Sequence, residues 1–522
     1  MKDKIVMGFD FGTNGVKALA YSQKEKKLLV SAYKSYPVLT PEKNFMEQDP
    51  RKWWEAFRWC VRVLLQQGGF SKEEVKVISI SSHTPTLTPL DEKGVPLCNG
   101  AIWSDGRAGE VCRRLQKEYA REIQKRNPAC IRPYHILPKL LWFRENRPEL
   151  YKKTKMFVDC NNYINYRLTG VFALDRSMAV NYHFYNVHTK EWDEKLAEEL
   201  GINLEQFPAL VDCGQVIGHL SKEAAEELSL DEKTEVLGGA SDTAMAMAGM
   251  GIFTQDRLAY SCGTGSTVIM LAKNTKENWY EADPALLSLG FVNKDYLMNI
   301  GVMSNTGGAF QWMKEAVCEM DSLWAKTLKK DVFSIMSDHV TAAPLGAGGI
   351  VFLPYLAGEL SPLYEPDARG VFFGLNTKTT KQEMLRAVME GTCYAVLQNV
   401  EIVLKAMGKK KEEMKEIVAT GGPCHSSAWM QMLSDILGIR VQTQEKAEGA
   451  AIGDVILAAV SAGIFENMEE AAREIIVPGA CYEPDEERGK KYRINYQTYV
   501  ELQKVLLPCF KEHQRRWREN DM

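Results

Sequence analysis

Two strand–turn–strand units, about 250 residues apart, constrain this chain more than any other feature of its sequence. In the first, the β-type run 4–11 carries Asp10 near its end. The chain then turns through Phe-Gly-Thr-Asn-Gly, and Ala18–Tyr21 returns as a second β-type run. In the second unit, Leu258–Tyr260 leads into Ser261-Cys-Gly-Thr-Gly-Ser, and Val268–Leu271 follows. Further β-type runs at 76–82, 235–241 and 416–422 alternate with longer helical stretches, which predicts an α/β chain with two related halves. The clearest helix is 381–407, where Leu385, Val388, Thr392, Val396, Val400 and Val403 recur at helical spacing before Gly408, the expected C-terminal cap. Another is expected to start at Ser427 as N-cap and to end at Gly438.

At 522 residues the chain exceeds one ordinary core, so two large domains are expected, 1–250 and 251–522. A net charge of −4 offers no basic surface for nucleic acid or anionic lipid. The N-terminus lacks the apolar core of a signal peptide. The best apolar stretch, 450–465, carries Asp454 and is too short for a membrane helix. Twelve cysteines occur with no C-x-x-C pair, as expected for unpaired thiols in a reducing cytoplasm. Nothing in the sequence fixes the oligomeric state, which leaves room for a homodimer.

The glycine-lysine phosphate loop and the dinucleotide fingerprint are both absent, so a phosphate would have to be held by another device. The turn at 10–17 supplies one. Gly12 and Gly15 free the backbone, Thr13 offers a hydroxyl, and Asp10 could hold Mg2+ through water. Lys17 adds positive charge or is a solvated strand residue; the structural alternative for the whole octet is a hairpin with a polar tip. Asp242 follows Val236-Leu237 and the glycines Gly238-Gly239, a place where a carboxylate meets substrate closely or caps the helix that follows. Asp105 and Arg107, two residues apart, would share one side of an extended segment and contact a polyol, or form an exposed ion pair of small worth. Gly421-Gly422, between a strand and a helix, allow backbone to approach a nucleotide.

These segments resemble the FGGY family of carbohydrate kinases, within the wider group that includes hexokinase, actin and the heat-shock ATPase chaperones. Asp10-Phe-Gly-Thr-Asn-Gly resembles the first phosphate loop, and Ala101-Ile-Trp-Ser-Asp-Gly-Arg the sugar-site segment, with Trp103, Asp105 and Arg107 in place. Gly239-Ala-Ser-Asp-Thr-Ala resembles the segment of the catalytic aspartate, which falls on Asp242 with Thr243 beside it. Ser261-Cys-Gly-Thr-Gly-Ser resembles the second phosphate loop, with Gly263 and Thr264. The segment from Asn305 to Trp312, containing Gly308, resembles the one beside the nucleotide. The Phe352–Pro362 stretch, running on to 370–375, resembles the C-terminal motif, and 419–423 the adenosine-binding glycine pair. The resemblance is closest to xylulose kinases. It places His83 among sugar contacts and Trp312 and His425 among ATP contacts, although His83 and Trp312 also have plain structural readings.

The resemblance implies a two-domain actin-like ATPase (ribonuclease H-like) fold with an interdomain cleft. It implies phosphoryl transfer from Mg-ATP to a sugar, with Asp242 as general base and D-xylulose as the first acceptor to consider. Other acceptors are L-ribulose, L-xylulose, L-fuculose, a polyol or a small signalling diketone; an actin-like ATPase without a small acceptor is the remoter alternative. Leu360 stands where the family usually has arginine, and Ser81-Ser82 replaces the usual Gly-Gln before His83. These departures bear on the identity of the sugar. The basic C-terminal stretch 510–520 reads as a solvated closing helix.

Overall fold

The computed structural model describes residues 3–275, 285–446 and 448–520. Its first sheet begins with β1 (Ile5–Gly12), which folds back on β2 (Gly15–Ser22) with Gly12 opposite Gly15, so the predicted glycine turn closes the hairpin. β3 (Lys27–Ser35) extends the hairpin on the β2 side. On its other side β1 pairs in parallel with β4 (Val75–Ser82). β5 (Val216–His219) lies antiparallel to β6 (Glu235–Leu237); β6 and β7 (Ala240–Ser241) both run parallel to β4. The expected strand 235–241 is thus two short strands, broken at Gly238-Gly239. Gly239 has φ +81°, and a Cβ there would lie 2.0 Å from the Ile80 carbonyl oxygen.

The second sheet repeats the plan. β8 (Arg257–Cys262) and β9 (Ser266–Lys273) form a hairpin across the second glycine turn, and β9 pairs with β11 (Tyr296–Met303), which carries β10 (Leu287–Gly290) at the edge. β12 (Glu416–Gly421) runs parallel to β8 and β13 (Val441–Gln444) parallel to β12, with β14 (Pro478–Tyr482) outermost. The sequence echo is therefore a structural one: each hairpin has a parallel strand beside its first member.

Alternation along β1 explains the layering. Ile5, Met7, Phe9 and Phe11 face α1 (Pro50–Gln67) and meet Trp53, Phe57, Cys60, Val61 and Leu64. Val6 faces the opposite way, into a core shared with α3 (Asp242–Gly249) and α8 (Ala450–Ser461). Ala259, Ile269, Leu271 and Val418 of the second sheet enter that same core, so α3 and α8 form a helical layer between the two sheets. Asp454 belongs to this layer. It is fully buried on α8 and accepts hydrogen bonds from Ser79 Oγ (2.8 Å) and Ser81 Oγ (2.5 Å) of β4.

The far face of the second sheet is covered by α6 (Lys381–Ala406) and α7 (Ser427–Leu437), with α4 (Gly307–Ala316) and α5 (Val332–Ala342) alongside. The N-cap of α7 is Ser426, whose hydroxyl accepts from the Trp429 amide, one residue before the expected cap. In the first half, α2 (Ile136–Asn146) packs in a separate apolar cluster. The closing helix α9 (Glu486–Asn520) is much longer than the charged ending suggests, and Tyr492, Tyr499 and Phe510 enter the second core. Among the described residues no helix is long and apolar enough to cross a membrane, and the twelve cysteines are all free.

The closest approach in the shared layer is between α3 and α8, where a Cβ on Gly453 would lie 2.1 Å from the Met245 carbonyl oxygen. Gly453→Ala must part the two helices. We expect it to lower the stability of the native state by about 1–3 kcal/mol, read as a lower urea midpoint with an unchanged slope.

Candidate active site

Asp10 lies on β1 two residues before the turn, and its Oδ1 is buried with no hydrogen-bond partner among the described residues. The Ala450 amide, at the N-terminus of α8, hydrogen-bonds to the carboxylate. Burial first, and then the charge of Asp242, push Asp10 up to about 7, against the opposing pull of Lys17. Lys17 itself pairs with Glu448 at 2.5 Å, just ahead of α8.

Asp242 is not the helix cap. Ser241 takes that role, with its hydroxyl accepting from the Ala244 amide at 3.2 Å, and Asp242 becomes the first helical residue of α3. Its carboxylate is therefore left for other work. The Thr243 amide (2.6 Å) and hydroxyl (3.1 Å) both donate to Oδ1, which gives Thr243 a role in orienting the group. Burial raises Asp242 to about 6, while those two hydrogen bonds oppose the rise. The N-termini of α3 and α8 thus bring a carboxylate pair, Asp242 and Asp10, to one region beside the first turn. Such helix ends favour negative charge.

The turn is tied to the sugar-site segment expected from the sequence. The Trp103 indole N–H donates to Thr13 Oγ1 at 2.9 Å, Gln48 Nε2 donates to the Thr13 carbonyl at 2.7 Å, and the Tyr36 hydroxyl donates to the Gly12 carbonyl at 2.6 Å. Trp103 remains 44% exposed despite this bond. Asp105 and Arg107 form no exposed pair. Asp105 is fully buried, accepts from the Met46 amide at 2.7 Å, and is gripped in two-pronged fashion by Arg107 (Nε 2.8 Å, Nη2 2.7 Å). Arg107 also donates to Glu47 at 2.7 Å and lies over the Phe45 ring, 3.8 Å from its centre. The pair was expected to reach out from an extended segment; it instead buckles that segment onto residues 45–47.

His83 lies behind the turn. Its Nε2 is 2.9 Å from Gln48 Oε1 and its Nδ1 3.0 Å from the Thr86 hydroxyl, so both ring nitrogens are engaged by protein. Gln48 Oε1 also accepts from the Trp53 indole at 2.9 Å, and Gln48 uses its amide N–H on Thr13. The histidine is then the neutral Nε2–H tautomer accepting from Thr86. Burial, together with the charge of Lys139, holds His83 down at about 3. Gln48, which carries no motif in the sequence, is the link between this histidine and the phosphate turn. Ser81 and Ser82 are likewise committed: Ser81 donates to Asp454 and Ser82 Oγ accepts from the Asn161 amide at 3.1 Å.

The second turn opens on a separate cavity of about 1070 Å³. Gly263, Thr264, Gly308, Trp312, Gly422 and His425 all line it, so six of the residues read from sequence as nucleotide contacts converge there. The Thr264 carbonyl accepts from the Thr306 (3.0 Å) and Gly308 (2.9 Å) amides, and the Gly263 carbonyl from Gly307 (3.1 Å). These bonds lock the turn against the start of α4. Gly421 precedes the cavity wall with φ +110°, where a Cβ would meet the Cys262 carbonyl oxygen at 1.9 Å. Trp312 stacks on Phe352, rings 6.3 Å apart and 7° from parallel, and borders the cavity as well. The sequence did not mark Glu359, whose Oε1 accepts the Ser304 and Leu360 amides at 2.8 Å each and holds the loop before Asn305. Burial raises Glu359 to about 7. Leu360 is 40% exposed and leaves no cation at this point of the loop.

Family models of the FGGY carbohydrate kinases match almost the whole of this architecture, the N-terminal domain over residues 5–249 and the C-terminal domain over 258–462. The chain is 29% identical over 499 residues to a xylulose kinase of Bacillus subtilis, covering 96% of each chain. It is 26% identical over 503 residues to a gluconokinase of the same organism, again covering 96% of both. A solved structure of ligand-bound xylulose kinase from Lactobacillus acidophilus superposes with a TM-score of 0.88 at 25% identity, over 98% of this chain and 100% of that one.

The closed hydrogen bonding around His83 has a direct consequence. Its imidazole should stay neutral from pH 5 to pH 8 because protonation would lie far below that window. Ring-proton NMR shifts that do not move across the window would bear this out, and a titration near the ordinary histidine value would show the ring open to solvent.

Proposed function

The chain belongs to the FGGY family of carbohydrate kinases and is an ATP-dependent sugar kinase; from that premise we propose that it phosphorylates a ketopentose, D-xylulose first, with Asp242 as general base. The observation that carries the base assignment is the position of Asp242 at the first turn of α3, relieved of capping by Ser241 and oriented by Thr243. In this reading a sugar hydroxyl loses its proton to Asp242 as its oxygen bonds to the γ-phosphorus, while the bond from the β,γ-bridging oxygen to that phosphorus breaks and ADP leaves with the electron pair. The Gly12–Thr13 turn and the Gly263–Thr264 turn face the phosphates with backbone N–H groups. Gly308, Trp312, Gly421, Gly422 and His425 border the nucleoside, and Lys17 adds charge on the phosphate side.

The orphaned, buried Oδ1 of Asp10 fits a divalent cation or the water that carries one, and we assign Mg2+ there. Mg2+, when bound, supplies neutralisation of phosphate charge. Acceptor contacts fall to the 1–250 half, through Trp103 and the segment buckled by Asp105 and Arg107. His83 acts on that half from behind, and nucleotide contacts fall mainly to 251–522. Closure of the halves over the bound pair would keep water from the γ-phosphate. Twelve free thiols suit a reducing cytoplasm.

D-xylulose is favoured by the name carried by the relatives at 28–29% identity. Gluconate is the second reading, because the gluconokinase relative matches over the same span. Xylulose is a five-carbon ketose, whereas gluconate has six carbons and a charged carboxylate in place of a carbonyl, so a comparison of kcat/KM on both acceptors separates them.

Asp242→Asn should lower kcat by about 10²–10⁴-fold with the sugar and ATP KM values little changed. A variant that turns over near the wild-type rate contradicts the base assignment. The raised carboxyl values also set a pH dependence. The ionised forms of Asp242 and Asp10 are populated above about 6 and 7 and are lost as pH falls through those values. The wild-type kcat/KM for sugar is therefore expected to fall on the acid side through an apparent pKa near 6–7, a value belonging to the coupled pair. A flat profile down to pH 5 would contradict it.

A further inference from the structure

Lys139 is a buried cation with no part in the chemistry proposed for Asp242 and Asp10. It lies on α2, is 1% exposed, and its ammonium is within hydrogen-bond distance of three main-chain carbonyl oxygens: Pro85 at 2.9 Å, Ala101 at 3.0 Å and Ile102 at 2.7 Å. An ammonium has three N–H donors and all three are used. Asp105 and Asp159 supply the nearby negative charge, against Arg107, and burial lowers Lys139 to about 7.

The three carbonyls belong to two segments that meet at the acceptor side. Pro85 lies two residues after His83, and the next residue, Thr86, gives its amide N–H to Asp159 at 2.5 Å while its hydroxyl bonds His83. The Lys139–Asp159 pair thus holds residues 85–86 by a carbonyl and an amide in turn. Ala101 and Ile102 directly precede Trp103, whose indole reaches Thr13 in the phosphate turn. A lysine here fixes the spacing between the His83–Thr86 loop and the Trp103–Arg107 segment. A methionine of similar length would fill the space without the cost of burying a charge, so what the ammonium adds is direction.

We propose that Lys139 is a positioning residue of the sugar kinase: by binding the Pro85, Ala101 and Ile102 carbonyls it holds the acceptor-pocket wall in register with the phosphate turn before sugar arrives. This rests on reading Trp103–Arg107 as the acceptor segment. The residue touches neither sugar nor ATP, so its loss acts on acceptor binding and leaves the nucleotide cavity, in the other half of the chain, as it was.

The test compares wild type, Lys139→Met and Lys139→Ala by steady-state kinetics with the sugar that the wild type phosphorylates best, alongside urea unfolding of each. The expected result is a sugar KM raised about tenfold or more, with the ATP KM within about twofold of wild type. Propylammonium, but not propanol, should bring the sugar KM of Lys139→Ala back down, because only the cation restores three donors. An unchanged sugar KM, a parallel change in both KM values, or equal effects of propylammonium and propanol would each overturn the proposal. If neither variant folds, Lys139→Arg, which keeps the charge but misplaces the donors, must show the same split between sugar and ATP; without it the lysine is only a stabilising group. A wild type that phosphorylates no sugar strikes the underlying acceptor reading instead.

Discussion

The contact between α3 and α8 is the constraint from which the rest of the molecule follows. Glycine at 453 lets the two helices approach to the Met245 carbonyl, and both then fit as one layer between the sheets. Because they share that layer, their N-termini open at the same place. One carries Asp242 as its first residue, and the other presents the Ala450 amide to Asp10. A carboxylate pair is costly to bury, and the raised values of both acids reflect that cost. Two helix ends and the orphaned Asp10 oxygen meet there, which is what the proposed phosphate and cation site rests on.

Around that point a run of side-chain hydrogen bonds is added to the apolar packing of the first half. Thr13, Gln48, His83, Thr86 and Trp103 form a chain of contacts that makes the phosphate turn and the acceptor segment one body. The cavity proposed for the nucleotide lies in the other half, against α4, α5 and α7, and is joined to the second turn through the Thr264 carbonyl. In the proposed reading the two substrates of a sugar kinase are received by separate halves, with α3 and α8 as their common support.

Much of this was legible in the residues. The two glycine turns announced the paired hairpins, and the alternation of Ile5, Met7, Phe9 and Phe11 with Val6 and Gly8 marks a strand buried on both faces. Of the glycines read from sequence as nucleotide contacts, Gly421 has the plainest backbone reason to be there, a φ of +110° with the Cys262 carbonyl oxygen 1.9 Å from where a Cβ would stand. What sequence could not show were partners distant along the chain. Asp454 bonds Ser79 and Ser81 some 370 residues away, Gln48 links Thr13 to His83, and Asp105 closes on residues 45–47. Read locally, Asp105 and Arg107 resemble a solvated pair, and only the fold shows them buried. The alternative of Asp242 as helix cap fell to Ser241 beside it, because serine and aspartate cap equally well and the backbone alone decides between neighbours. The closing helix was underestimated because its tyrosines at 492 and 499 are spread too thinly among charges to mark an apolar face.

The destination of the γ-phosphate tests the proposed transfer most directly. ATP carrying a labelled γ-phosphate, incubated with the wild-type protein, Mg2+ and D-xylulose, should place the label in a pentulose phosphate, with little release of inorganic phosphate when the sugar is left out. Label appearing as inorganic phosphate at the same rate with and without any sugar would contradict it.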